Sequence, residues 1–516
     1  IAYDLNIDTL YIDDIRFGHL EASGNADLTK STFSLSPRTT LHSDIGAVQF
    51  DIQGNYSRRH PELKGRIIID EAPMEWIQPF TKDYIHNIGG SFSAKILLDG
   101  SIYQPVYSGD ILLKDITVTP YITGVPYFID HHRLKIADNA FRFQNMEIRD
   151  ALYNKGILNG SITYSGWQHY AFNLGFSSDR IRILSLDKSE NDYFYGNIIA
   201  QTNVTLTGMI NNLRMNVVGR PLRGSRLFIP ISSGGDYSSY EYITFKKSNT
   251  DRKSFLQAPP FIYNLKIDAI VTPDLEATII LDESTGDKLQ VTGNGNIVME
   301  IPSNGAIRLN GNYVIEEGEY NFAFKQMEVL NYQQKFILES GSVIKWTGDL
   351  YDADLNVKAN ARVQARLYDL IANETDRLGL NNAEITDAQM PQPININLNM
   401  QGALSQPQLT FRLGLVENRS VGTYAHQKLQ RINTSERELL NQVAGLLLLK
   451  QFLPPEGLHN TSLSAGAITN MSELFSATAS SQLSNLANKL LGVEDLYINL
   501  KYKSYALSGY DQTNPA

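Results

Sequence analysis

Cysteine is absent from the 516 residues. Its absence removes disulfide frameworks, thiolate metal ligands and thiol nucleophiles together, and leaves the redox compartment open. Long hydrophobic runs are absent as well: the densest patch, VAGLLLLKQFL from Val443, is too short to span a bilayer as a helix. Positive charge is in deficit, with 45 Lys and Arg against 55 Asp and Glu and a formal net charge of -10. That balance argues against a nucleic-acid partner and against electrostatic docking on anionic headgroups, so any lipid contact is expected to be apolar. The chain starts at Ile1 with no initiator Met and no signal peptide, which leads to the expectation of a fragment with upstream sequence removed or left out.

The chemistry of enzymes is missing too. The 9 histidines are scattered singly apart from His131 and His132, and none has a metal-ligand spacing. GNGN at Gly293–Asn296 lacks the third glycine and the following helix of a phosphate cradle, and reads as a turn. WTGDLYDAD, from Trp346, has oxygens for calcium but not the regular ligand spacing with its closing Glu. No Ser, His and Asp set is signalled. The expectation is a non-enzyme with no cofactor and no metal.

What the chain does have is 42% hydrophobic and 10% aromatic residues, enough to fold around a core. From residue 1 to about 420 the hydrophobic pattern has a period of two, broken by Gly, Asn, Asp and Pro turns. The clearest run is ADLNVKANARVQARL, residues 353–367, in which Leu355, Val357 and Val363 alternate with polar residues and the other dry positions are mostly alanine. Similar dry faces are Phe92, Ala94, Ile96 and Leu98; Ala277, Ile279 and Leu281; Tyr320, Phe322 and Phe324; and Ile394, Ile396, Leu398 and Met400. A degenerate module recurs, an apolar strand ending at Gly, a turn often carrying Pro, then another strand. It occurs as LLDGSIYQPVYSGDILLKD, TLTGMINNLRMNV and NMQGALSQPQLTF. A sandwich, a barrel or a β-solenoid fits such strands, and repetition favours the solenoid.

Residues 421–516 change character. NTSERELLNQVAGLLLLKQFL has a capping-box pattern from Ser435 to Glu438 and reads as a helix to about Phe452, stopped by Pro454 and Pro455. Its apolar side carries Leu439, Leu440, Val443 and Leu447. A second helix reads from about Met471 to Leu491 with Leu474, Phe475 and Leu483, and DLYINLKYKSY returns to alternation with Leu496, Ile498 and Leu500.

Several ordered motifs carry a family resemblance. GNYVIEEGEYNFAF followed by KFILESGSVIKWTGDLYDADLNVKA is similar to the C-terminal domain of the TamB family in its Bacteroidota form. So are NDYFYGNIIAQTNVTLTGMINNLRMNV with GSRLFIPIS, EWIQPF with GGSFSAKILLDG, and ELLNQVAGLLLLKQFLP with SELFSATASSQLSNLANKLLGVEDLYINLKY. The motifs of that domain fall at about 189–415. The family usually continues past the last alternating strand, whereas this chain stops at Ala516.

The resemblance implies a bridge-like, AsmA-related lipid-transfer protein: an all-β, elongated, solenoid-like curled sheet (a β-taco) with an apolar groove and a short helical C-terminal segment. It implies a groove over 1–420 lined by the dry faces named above, and partner docking through Leu439, Leu440, Val443, Leu447 and the apolar residues that follow them. It further implies an inner-membrane anchor by an N-terminal helix outside these residues and a path across the periplasm to the outer membrane. The expected cargo is phospholipid and the expected partner a TamA-like barrel of the Omp85 family. The alternative is an assembly factor for outer-membrane or autotransporter proteins that accepts client strands at open sheet edges.

Overall fold

The computed structural model describes residues 1–453 except 58–60, 83, 167–168, 192, 231–262, 284–285, 304–305, 324–332, 350–352, 375–378, 405–406 and 417–421. Among the described residues the chain is all-β, with 23 strands and a few short helices. The first twelve strands are β1 (Ala2–Ile12), β2 (Ile15–Asp27), β3 (Thr32–His42), β4 (Ala47–Asn55), β5 (Glu62–Pro73), β6 (Ile85–Gly100), β7 (Pro105–Pro120), β8 (Tyr127–Ala137), β9 (Ala140–Asp150), β10 (Lys155–Ser165), β11 (His169–Leu186) and β12 (Tyr195–Met209). Each pairs antiparallel with the next, so this part is an up-and-down meander rather than a stack of parallel coils. The recurring module is its hairpin. Gly100, the last residue of β6, and Gly208, the last but one of β12, have φ of 94° and 111°, where a side chain is strained, and a Cβ on Gly208 would lie 2.4 Å from the Asn212 carbonyl oxygen.

The ladders shift register between Ile7 and Leu10, Glu21 and Gly24, Leu35 and Thr39, and Ile69 and Ala72. Bulges of this kind bend the strands that carry them and increase their local twist.

The meander pattern breaks after β12, which pairs with β13 (Asn212–Pro221) along Ala200–Met209 and with β14 (Ser225–Pro230) along Tyr195–Asn197. β13 then pairs in parallel with β15 (Tyr263–Val271), beginning at Leu213 opposite Tyr263. Arg226 on β14 and Glu276 on β16 (Leu275–Asp282) carry the same offset forward as an ion pair at 3.0 Å. Matching turns separate the two collinear pairs: the Ser225 N–H donates to the Leu222 carbonyl at 3.1 Å, and the Leu275 N–H to the Thr272 carbonyl at 3.0 Å. A parallel pair cannot be closed by a tight turn, and the connection here includes residues 231–262.

Compact packing divides the chain into two units. The first is formed by the described residues of Ile1–Phe228, Ser239–Ala277 and Asn294–Gly311; the second by those of Ile229–Ser238, Thr278–Gly293 and Asn312–Ala516. Helical segments are few. In the first unit a 3-10 turn, Met74–Ile77, and one helical turn, Gln78–Thr81, connect β5 to β6. In the second, helices run over Leu367–Ile371, Asn382–Gln389, Gly422–Ile432 and Glu436–Ala444, the last passing into a π-helical turn, Gly445–Leu449. The segments at 367–371 and 382–389 depart from the strand pattern expected to about residue 420, and 422–432 is a helix ahead of the one expected from Ser435. The Asn381–Glu384 capping box closes the second of them and is a readable signal in the sequence. At Ser435 the capping pattern is present but the side-chain bond is not: that residue makes no side-chain cap hydrogen bond.

Candidate functional site

Alternation gives the sheet one apolar side in each unit, and the two sides differ in how they are covered. In the first unit, Leu41, Val48, Ala72 and Trp76 are buried, while the larger apolar set packed on them, including Phe17, Phe50, Ile67, Ile69 and Phe92, is only half-buried. Phe92 also joins the next cluster, where Leu113, Ile116, Leu134 and Met146 are buried under half-buried Ile111, Val118, Ile129, Phe143 and Leu158. A third cluster of the same kind centres on Leu265, Ile301 and Ile307. Of the residues expected on β6, Ala94 and Leu98 are buried and Phe92 and Ile96 half-buried, whereas Leu97 between them is 59% exposed on the opposite side. A large part of this apolar surface therefore stays in reach of solvent or of a ligand.

One short segment crosses this face. Trp76, from the connection between β5 and β6, stacks on Phe17 of β2 with ring centroids 5.1 Å apart. Lys82, just beyond it, pairs with Asp13 in the β1–β2 turn at 2.8 Å.

In the second unit the apolar side is closed. Along β21 (Ala353–Arg366) every odd position is buried, with Val357, Ala353 and Ala359 at 0% exposure. On β22 (Pro391–Ala403), paired antiparallel with β21, Ile394, Ile396, Leu398 and Met400 are buried too. Tyr320, Phe322 and Ile279 are buried, Ala277 and Leu281 half-buried, and Phe324 lies outside the described residues.

The cover over β21–β23 is the chain's own. Helices 422–432 and 436–444 pack on β23 (Gln408–Leu415), and the π-helical turn packs on β21. Leu439, Val443 and Leu447, expected to face a partner, are buried in this packing, and Leu440 is half-buried. The room left by alanines on β21 suits a close approach of this helical layer, which presents Ala425, Ala444 and Gly445 among its buried residues. Paired backbone bonds fix the layer. Asn433 accepts from the Leu413 N–H and donates to its carbonyl, each at 2.9 Å. Gln442, itself buried, does the same for Leu453 at 2.9 and 2.8 Å. Ala425, Leu429 and Ile432 recur at helical spacing and mark a buried side that period-two reading passes over. Leu474, Phe475, Leu483, Leu496, Ile498 and Leu500 lie outside the described residues.

The titrating groups on these surfaces are structural. Burial, with Asp287 beside it, pushes the Tyr320 hydroxyl well above its ordinary range. At the β9–β10 turn, burial of Asp150 works to raise its pKa but is outweighed by hydrogen bonds from Asn154, Arg182 and Leu152, so the group titrates below its usual value. Among the described residues no group of three or more His, Asp or Glu could hold a metal, and no helix is long and apolar enough to cross a membrane.

Strands that alternate apolar and polar residues give each unit a sheet with one apolar side, and define the chain as an all-β protein with extended sheet surface. The family within that class follows from comparison: residues 144–516 match the model of the TamB C-terminal domain, and the chain belongs to the TamB family. The family carries a role in the translocation and assembly module of outer-membrane proteins, is envelope-spanning, and in general has an Omp85-type (TamA) partner. No curated protein sequence matches the chain.

Proposed function

We propose that this chain is part of a hydrophobic conduit that carries phospholipids across the periplasm between the inner and outer membranes, docked on an Omp85-family barrel and anchored through sequence outside these residues. The observation that carries the reading is the half-buried apolar face of the first unit, where Phe17, Ile67, Ile69, Phe92, Ile96 and Ile111 keep surface available. A lipid with two sixteen-carbon chains exposes about 32 methylenes in water, on the order of 25 kcal/mol at roughly 0.8 each. An apolar face removes most of that cost while the headgroup stays wet. It needs no tight polar site, and a deep well would hold the cargo rather than pass it on. A photo-reactive residue at Ile96 or Ile111 is expected to capture phospholipid in cells. Capture of unfolded outer-membrane protein at both positions, with no lipid, would sink the conduit.

The second reading is the assembly factor, in which the sheet edge accepts client strands. Its support is β1, which among the described residues pairs only with β2, leaving an edge of the kind that β-augmentation uses. Photo-crosslinking from Leu5, half-exposed on that strand, distinguishes the two by the cargo it captures.

A further inference from the structure

The net charge of the chain conceals a local exception on the solvent side of β21–β23, the side turned away from the helical layer. The outward positions of β21 are Asp354, Asn356, Lys358, Asn360, Arg362, Gln364 and Arg366. Register sets Asn399 opposite Lys358, Asn397 opposite Asn360 and Asn395 opposite Arg362 on β22. On β23 it sets Thr410 opposite Asn399 and Arg412 opposite Asn397. Paired residues of antiparallel strands share a face, so Lys358, Arg362 and Arg412 form a triangle. Its sides are on the order of 12–14 Å, from strand spacing of about 4.8 Å and a rise of about 3.4 Å per residue.

All three cations are exposed, and none makes an ion pair with a described residue, whereas Arg366 is paired with Asp369 at 3.2 Å. The one carboxylate among these outward positions, Asp354, stands at the far end opposite Lys345. Asn395 and Asn399, between the cations, each have a buried side-chain oxygen with no hydrogen-bond partner, so the polar groups of this face do not satisfy one another.

From this arrangement we propose that the outer face of β21–β23 is a docking surface for a bilayer rich in anionic phospholipid. The chemistry selects that occupant. Guanidinium forks and an ammonium suit phosphate oxygens. A protein-binding patch is built around aromatic or apolar residues with charge depleted at its centre, and the outward positions of these three strands hold no aromatic residue. The proposal does not rest on the conduit reading, and it corrects the expectation from net charge that lipid contact must be apolar throughout: the cargo surface is apolar, and this second surface is cationic.

The test is flotation of the full chain with vesicles of equal parts phosphatidylcholine and phosphatidylglycerol, against vesicles of phosphatidylcholine alone. Binding to the anionic vesicles at low salt, weakened at half-molar salt, is the expected result. Each basic side chain near an anionic surface is worth about a fivefold change in partition, so the combined variant K358Q/R362Q/R412Q is expected to bind about a hundredfold more weakly. The charge-preserving variant K358R/R362K/R412K should bind like the parent, and both should keep the parent's melting temperature, because the side chains replaced are exposed. Equal binding of the neutralised variant, or equal binding to both vesicle types, would each overturn the proposal.

Discussion

Replacing Val357 by Asp separates a face covered by protein from a face left for cargo. The groove implied by the family resemblance leads to the expectation that a carboxylate there would block a lipid path and leave the fold intact. In the structure Val357 is 0% exposed, on the strand against which the π-helical turn packs. Losing the buried valine costs about 1.5–3 kcal/mol. Holding the new carboxyl neutral in an apolar site at pH 7 costs about 4 kcal/mol more, from the roughly three units between the ordinary Asp pKa and pH 7 at roughly 1.4 kcal/mol each. The total, about 5–7 kcal/mol, is comparable to the whole stability of a typical domain. Val357→Asp should therefore unfold the second unit, seen as lost thermal cooperativity and rapid proteolysis of the region after residue 312. Ile96→Asp, on the half-buried face of the first unit, leaves its carboxylate in reach of water and should cost only about 1–2 kcal/mol of lost burial while abolishing lipid capture. A Val357→Asp chain that melts with the parent would refute the assignment of helices as the cover on β21.

Two other outcomes follow from hydrogen bonds. Gln442→Ala strips both backbone partners from the buried Leu453 amide, and two unsatisfied buried groups at about 1–3 kcal/mol each predict a loss of about 2–5 kcal/mol in chemical denaturation; an unchanged midpoint would show that the helical layer is held by packing alone. The lowered pKa of Asp150 contributes stability that is complete above the ordinary carboxylate value and fades as pH falls through the folded value. Asp150→Asn should accordingly flatten the acid side of the stability–pH curve, and a slope below pH 4 identical to the parent's would exclude this carboxylate as its source.

Much of the sheet was readable from the sequence because an extended strand is the backbone conformation that sends every second side chain to the same side. All eight dry positions of residues 353–367 are buried, seven on β21 and Leu367 as the first residue of the helix that follows, and the Gly-ended modules are hairpins. What covers a dry face is a different question, and alternation carries no information about it. Phe92 and Ile96 on β6 obey the same period as Leu355 and Val357 on β21, yet the first pair is half-buried and the second closed. The difference is made by residues far away in sequence, among them Ala425, Leu429, Val443 and Leu447, whose own period is helical. Charge suffers from the same loss of information: a sum over the chain averages Lys358, Arg362 and Arg412 with acids that lie on other surfaces.

The two kinds of face also argue for a division of labour within one sheet. A surface that passes lipid must keep its binding shallow, and half-buried side chains such as Ile67, Ile69 and Ile111 achieve this because each already has protein on one flank and offers only the remainder. The face of β21 and β22 has no such remainder. Its alanines let helices 422–432 and 436–444 pack close, and Asn433 and Gln442 bind backbone groups that water or lipid would otherwise have to satisfy. Apolar cargo that reached it would have to displace that layer, breaking the two Asn433–Leu413 hydrogen bonds and exposing Leu429, Val443, Leu446 and Leu447. A shallow, non-specific contact cannot supply that energy. On the proposed reading the open face carries cargo and the closed one serves as a fixed core, which leaves the outer side of β21–β23 as the surface free to meet something else.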